Sequence, residues 1–293
     1  MKQFILSVLI FCPLFLISQS QTDPLLDMQG IEQNGNLFFQ IKNYTINVVT
    51  VNKKFNDKEI SKILKNYDIK NPQKKYSDEN LGYENIVVEN ESEDKEFPSV
   101  TLFQKIYFIS IGEKQIKHIC FQSSLPRDTL LESAFIEVFN NKLLDSYVMY
   151  REHSTRSINF LGREIKLGAT CNWMYTNNLQ CSENGQMSWS VFPSVEEAEN
   201  QTRLNQLKNS SRKILKQEEI NIIFEGTPSV ATRIVYKFNI PRMIMGGSNV
   251  LAVYYITSQV CSKYVSCVLS NYVDNKDDYT MGALLHEVMS LQD

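Results

Sequence analysis

The sequence predicts an α+β protein of two repeated lobes, each an antiparallel sheet with helices on one face, after a cleaved signal peptide. Three observations carry that expectation. Runs rich in β-branched and aromatic residues alternate with a period of two, two capping boxes open amphipathic helices, and the order of elements recurs in the second half of the chain.

The chain has 293 residues, is 43% apolar and 22% charged, and carries a net charge of −3. That length predicts two domains. A mildly acidic balance without clustered lysine and arginine argues against nucleic acid as a partner. At the N-terminus, Lys2, the apolar run 4–17 and the set Ser18-Gln19-Ser20 read as the three regions of a signal peptide, 1–20, cleaved near Gln21. The run is shorter than the roughly 20 apolar residues that span a bilayer. No later segment is apolar enough to do so, and no integral membrane segment is expected after cleavage.

The first lobe is expected over 21–149. Residues 38–51 alternate as a strand. Asn56 and Glu59 form a capping pair, and Ile60, Ile63, Leu64 and Tyr67 line one face of the helix that follows. A polar loop, 71–82, precedes strands at 85–89, 100–110 and 116–123, with an acidic turn at 90–96. The helix 128–144 places Leu131, Ala134, Phe135, Val138 and Phe139 on one stripe.

The polar stretch 150–156 reads as a linker, and the second lobe follows over 157–293. Its strands are expected at 158–170 and 186–192. Ser194 and Glu197 open a helix continued to 219, interrupted at Asn209-Ser210-Ser211. Hairpins follow at 220–240, turning at Gly226-Thr227-Pro228, and at 250–272. Thr280 caps a last helix that buries Met281, Leu284, Leu285 and Val288. Each lobe thus has the order β-α-β-β-β-β-α. A gapless shift of 147 residues sets Ile106-Tyr107-Phe108-Ile109-Ser110 on Val253-Tyr254-Tyr255-Ile256-Thr257, and Cys120 on Cys267. This order of elements resembles that of the TATA-binding-protein-like and Bet v 1-like folds. The resemblance rests on no diagnostic residue and implies nothing about DNA.

Strand 100–110 is apolar on both alternating sets, with Phe103, Tyr107 and Ile109 on one and Leu102, Ile106 and Phe108 on the other. Such a sheet is covered on both faces. Helices supply one cover, and the other is left to the partner lobe, another subunit or an apolar ligand.

The candidate contact surface lies in 171–188, expected as an inserted loop closed by a Cys171–Cys181 disulfide. Trp173, Tyr175, Gln186, Met187 and Trp189 are its candidate binding residues, because a rigidified loop presenting aromatics suits recognition. The competing reading puts both tryptophans in the core beneath the loop. Cys261 and Cys267 flank a hairpin turn as a second candidate pair, against which stands the register of Cys267 with Cys120 as small buried residues.

Catalytic and metal motifs are weak. His118 and Cys120 share a strand face, which reads as structural, with Val265 in place of His118 after the shift. His286-Glu287 lacks a second histidine four residues on, where Ser290 stands. His153 sits in the polar linker. The acidic sets Glu91, Glu93, Asp94, Glu96 and Asp274, Asp277, Asp278 lack the glycine bend of a calcium loop. Gly246-Gly247-Ser248 is a turn. No metal and no cofactor is expected. The expected function is binding by a secreted or periplasmic protein, its partner an unknown protein or a small apolar ligand. The alternatives are a cell-envelope hydrolase with its site between the lobes and a structural component of an envelope assembly.

Overall fold

The computed structural model describes residues 23–93, 100–182, 184–209, 212–238 and 248–292. The expected signal segment, Asp94, Glu96 and the Gly246-Gly247 turn lie outside them. Sheet dominates the molecule. The first lobe runs β1 (Gln29–Gln33), β2 (Asn36–Ile41), β3 (Tyr44–Val51), α1 (Asp57–Asn66), β4 (Lys74–Tyr76), β5 (Asn85–Glu93), β6 (Thr101–Gly112), β7 (Gln115–Ser123), α2 (Thr129–Asn140), a 3-10 turn (Leu144–Tyr147) and β8 (Val148–Tyr150). The second runs β9 (Ser154–Phe160), β10 (Arg163–Tyr175), β11 (Asn178–Cys181), β12 (Gly185–Phe192), α3 (Val195–Leu207), β13 (Lys213–Phe224), β14 (Thr227–Lys237), β15 (Val250–Val260), β16 (Lys263–Val273), α4 (Ala283–Val288) and β17 (Met289–Leu291).

In space the first sheet is ordered β4-β5-β6-β7-β3-β2-β1-β8 and the second β17-β13-β14-β15-β16-β12-β11-β10-β9. Seven positions correspond, β4-β5-β6-β7-β3-β2-β1 matching β13-β14-β15-β16-β12-β11-β10. Segment 171–188 is therefore no insertion. It belongs to the meander β10-β11-β12, which stands where β1-β2-β3 stands in the first sheet. The 147-residue shift does not survive the hairpins. Ile106 pairs with Cys120, whereas Val253 pairs with Ser270, three residues past the shifted position, and Cys267 pairs with Ile256. Cys120 faces the core beneath α1, and Cys267 faces the core that contains α4.

Several boundaries differ from expectation, each for a local reason. Segment 38–51 is a hairpin, β2-β3, turning at Lys42 (φ 49°), and 158–170 holds another, β9-β10, turning at Leu161 and Gly162. The linker 150–156 is mostly strand, because β8 pairs in parallel with β1 and β9 begins at Ser154. The α3 helix stops at Leu207, and residues 213–219 pair along β14. The last helix is capped at Gly282 and not at Thr280. Where capping chemistry was unambiguous it holds: Asn56 and Ser194 accept the backbone N–H groups of Glu59 and Glu197 at 3.0 and 3.3 Å.

Helices cover both faces of each sheet, not one. In the first lobe α1 packs Ile60, Ile63 and Leu64 on Ile106, Phe108 and Cys120. The α2 helix packs Leu131, Phe135 and Ile136 on the opposite set, Tyr107, Ile109, Ile119 and Phe121. The two apolar faces of β6 are thus met by two helices. In the second lobe α3 docks through polar contacts, Thr202 Oγ1 donating to Ser266 Oγ at 2.8 Å. The α4 helix plugs the other face with Leu284, Leu285 and Val288. That sheet curls strongly, since Phe160 of β9 meets Phe224 of β13, with ring centroids 6.2 Å apart, from the opposite end of the strand order. Arg163 closes the same seam onto Glu225, at 2.5 and 2.8 Å.

Candidate functional site

The predicted contact residues do not form a surface. Cys171 and Cys181 are bonded and sit directly opposite each other on β10 and β11, both buried. Trp173, Met187 and Trp189 are 1%, 0% and 4% exposed and belong to the core of the second lobe. The reason is strand alternation: Ile165, Leu167, Cys171 and Trp173 face inward, while Lys166, Asn172 and Met174 face solvent. The Trp173 ring stacks at 4.6 Å on Tyr150 and lies 6.3 Å from Trp189. Gln186 is half-buried and donates to Asn178 Oδ1 at 2.9 Å. Cys261 is exposed and unpaired, and Cys267 is buried, so this second candidate pair does not form.

Tyr175 turns toward the first lobe. Its hydroxyl donates to Asn47 Oδ1, and its ring meets Phe38 edge-on at 5.6 Å. At the hairpin tip Thr176 and Asn177 are buried, with Thr176 Oγ1 donating to the Phe38 carbonyl at 2.8 Å. Gln33 Nε2 reaches the Trp173 carbonyl at 3.3 Å. The β10-β11 hairpin is thus a clamp on the first lobe, pinned by the disulfide near its tip. Phe38, Tyr150, Trp173 and Tyr175 fill the junction where a cleft between lobes was expected for a hydrolase.

His118 and Cys120 do share a face of β7. His118 Nδ1 lies 3.1 Å from the Tyr67 hydroxyl, and burial depresses the imidazole to about 4. Burial pushes the Cys120 thiol up to about 12, against a hydrogen bond from Tyr67. Both groups are neutral at neutral pH, the reverse of the thiolate–imidazolium arrangement that activates a cysteine. The Asp274, Asp277, Asp278 loop is organised by Arg233, which is fully buried. Its Nη1 donates to Glu218 Oε1 and the Lys276 carbonyl at 2.9 and 3.0 Å, and its Nη2 to the Asp278 carbonyl at 2.5 Å. The Tyr279 ring lies 4.2 Å from the guanidinium. Loop carbonyls that could bind a cation are thus turned to arginine. Among the described residues no group of three His, Cys, Asp or Glu side chains is placed to hold a metal.

The better site was not foreseen. A helix of 12 residues such as α2 extends about 18 Å, whereas a strand of 12 residues such as β6 extends about 40 Å. The sheet face therefore continues past the C-terminal end of α2. There Leu37, Val48 and Ile111 floor a groove of about 270 Å³ walled by Tyr83, Phe139 and Leu144. It shares Leu37, Val48, Lys117 and Asp145 with a neighbouring cleft of about 290 Å³ that reaches Glu32 and Arg151. Lys117 sits half-buried on the α2 face of β7, its ammonium 5.8 Å from the Phe139 ring centroid. Two signals pointed here: a lysine in the otherwise apolar alternation with Ile119 and Phe121, and the mismatch in element lengths.

No family model and no curated protein matches the chain. Among solved structures, a crystal structure of the di-domain ARO/CYC StfQ from the steffimycin biosynthetic pathway aligns with 89% of this chain and 79% of its own. Identity is 9% and the TM-score 0.16, a superposition that carries no argument about fold or activity.

Proposed function

We propose that this is an exported, secreted or periplasmic protein that acts by binding, and that the ligand seat is the groove beyond the end of α2. The observation that carries the reading is the open apolar sheet face of Leu37, Val48 and Ile111, bounded by Tyr83 and Phe139, in a lobe whose other faces are covered. A concave, largely apolar surface with a few polar groups at its rim is the usual form of a small-molecule site. Export is supported by the Cys171–Cys181 disulfide, which suits an oxidising compartment. No helix among the described residues is long and apolar enough to cross a membrane.

The test is a groove-filling substitution. Leu37 is half-buried on the floor, and Leu37→Trp should occupy the groove while leaving the strand pairing of β2 intact. An environment-sensitive apolar dye is expected to bind wild type with one-to-one stoichiometry and to lose most of that binding in the variant. Native mass spectrometry of protein exported to a bacterial periplasm should show any retained ligand in wild type alone. Equal dye binding by both proteins would move the site elsewhere.

A further inference from the structure

We infer that the ligand is an amphipathic monoanion, an apolar body in the α2 groove with its head at Lys117, an inference that rests on the groove reading above. The charges around the groove are unequally paired. Arg151 bonds Glu32 and lies 3.6 Å from Asp145, so one guanidinium answers both carboxylates. Lys117 contacts the Phe139 ring, and among the described residues the groove's one carboxylate, Asp145, is paired with Arg151 and not with Lys117. Lys142 lines the same groove. It has no carboxylate partner among the described residues either, but it is exposed, so its ammonium keeps its hydration. Lys117 is therefore the partly desolvated cation that a ligand meets unneutralised.

A half-buried ammonium against an aromatic ring has lost part of its hydration, and an anion seated beside it restores that loss. The same geometry argues against a cationic ligand. An aromatic cage for a quaternary ammonium needs a free ring face, and Lys117 already occupies that of Phe139 while repelling a second cation. The groove, at about 270 Å³, falls just below the roughly 300–1,000 Å³ of drug-sized sites, which points to one short chain or ring system.

Three probes with one tail separate the cases: decanoate, decanol and decyltrimethylammonium, titrated calorimetrically into the full chain below their micellar concentrations. Decanoate is expected to bind about tenfold tighter than decanol, the scale of one charge-assisted contact, and the ammonium weakest. Lys117→Gln should bring decanoate down to the affinity of decanol and leave decanol unchanged, while Lys117→Arg should keep the preference. A circular dichroism spectrum matching wild type confirms that each variant is folded. Equal binding of decanoate and decanol, or preference for the ammonium, overturns the anionic class while the groove reading stands. If none of the three binds, or Leu37→Trp leaves their binding unchanged, the groove reading itself is overturned.

Discussion

His118 shows how one buried side chain sets a pH dependence. Its ring lies between Tyr67 and Phe108, with centroids at 5.7 and 6.1 Å, and is 4% exposed. Burial lowers it from 6.5 to about 4, so the fold holds the neutral imidazole. Between those values the unfolded chain binds the proton and the folded one does not. Stability contributed by neutral His118 is therefore complete above about 6.5 and is lost as pH falls toward 4. The shift allows a loss of about 2.5 kcal/mol between pH 7.5 and 4.5. His118→Gln retains a polar partner for the Tyr67 hydroxyl and removes the titration. In urea denaturation at those two pH values, wild type should lose about 2.5 kcal/mol more than the variant, the carboxylates being common to both. Equal losses would mean that the imidazole titrates normally and is not held neutral. The same residue shows what was legible at this scale. Sharing a face with Cys120 follows from spacing, whereas Tyr67 arrives from α1 through tertiary packing that spacing does not encode.

Single elements are best judged by adjacent residues that point in opposite directions. On β10, Trp173 is 1% exposed in the core and Met174 is 53% exposed. Trp173→Ala should cost about 3–5 kcal/mol, through lost burial and the cavity left among Tyr150 and Trp189. Met174→Ala should stay within about 0.5 kcal/mol of wild type. Thermal unfolding of the two variants side by side checks this, and a Trp173→Ala protein as stable as its neighbour would return the indole to the surface. The alternation needed to foresee the placement is present in the sequence, since Ile165, Leu167, Cys171 and Trp173 are one parity. It is hidden by ending the strand at Thr170. Helix starts were legible because Asn56 and Ser194 act on N–H groups three residues away. The β2-β3 turn was not, because Lys42 adopts positive φ without a glycine's freedom to announce it, and at the β9-β10 turn the signal was only Gly162, a single glycine beside Leu161, which also takes positive φ. Segment 213–219 holds Lys, Gln and Glu of good helix propensity, and pairing with β14 overrides them. Which helix covers which face is a long-range choice. That choice left the α2 groove unseen, although Lys117 and the lengths of 100–110 and 128–144 stood in the sequence.

Each lobe has its own cores, and the lobes meet through the β10-β11 clamp, Tyr150 of β8 against Trp173, Ile31 of β1 inserted into the core of the second lobe, and a Lys263–Asp27 ion pair at 2.8 Å. Ile31, Trp173 and the tip residues Thr176 and Asn177 are the parts withdrawn from water, whereas a half-solvated ion pair such as Lys263–Asp27 contributes about 0–1 kcal/mol. The clamp is thus expected to carry the coupling that makes the molecule unfold as a unit. Both tryptophans, Trp173 and Trp189, lie in the second lobe, which provides a lobe-specific signal. Tryptophan fluorescence follows that lobe and the Trp173–Tyr150 contact but not the first sheet itself, while far-ultraviolet circular dichroism follows both sheets. In wild type the two denaturation curves should coincide. Replacing Tyr175 and Thr176 together by alanine removes the bonds to Asn47 and Phe38 and leaves the disulfide in place. The curves should then separate, with dichroism showing two steps and fluorescence only one of them. Coincident curves in the variant would place the coupling in Ile31 and the β8-β9 connection, and separated curves in wild type would mean that the lobes are independent folding units joined only by the chain.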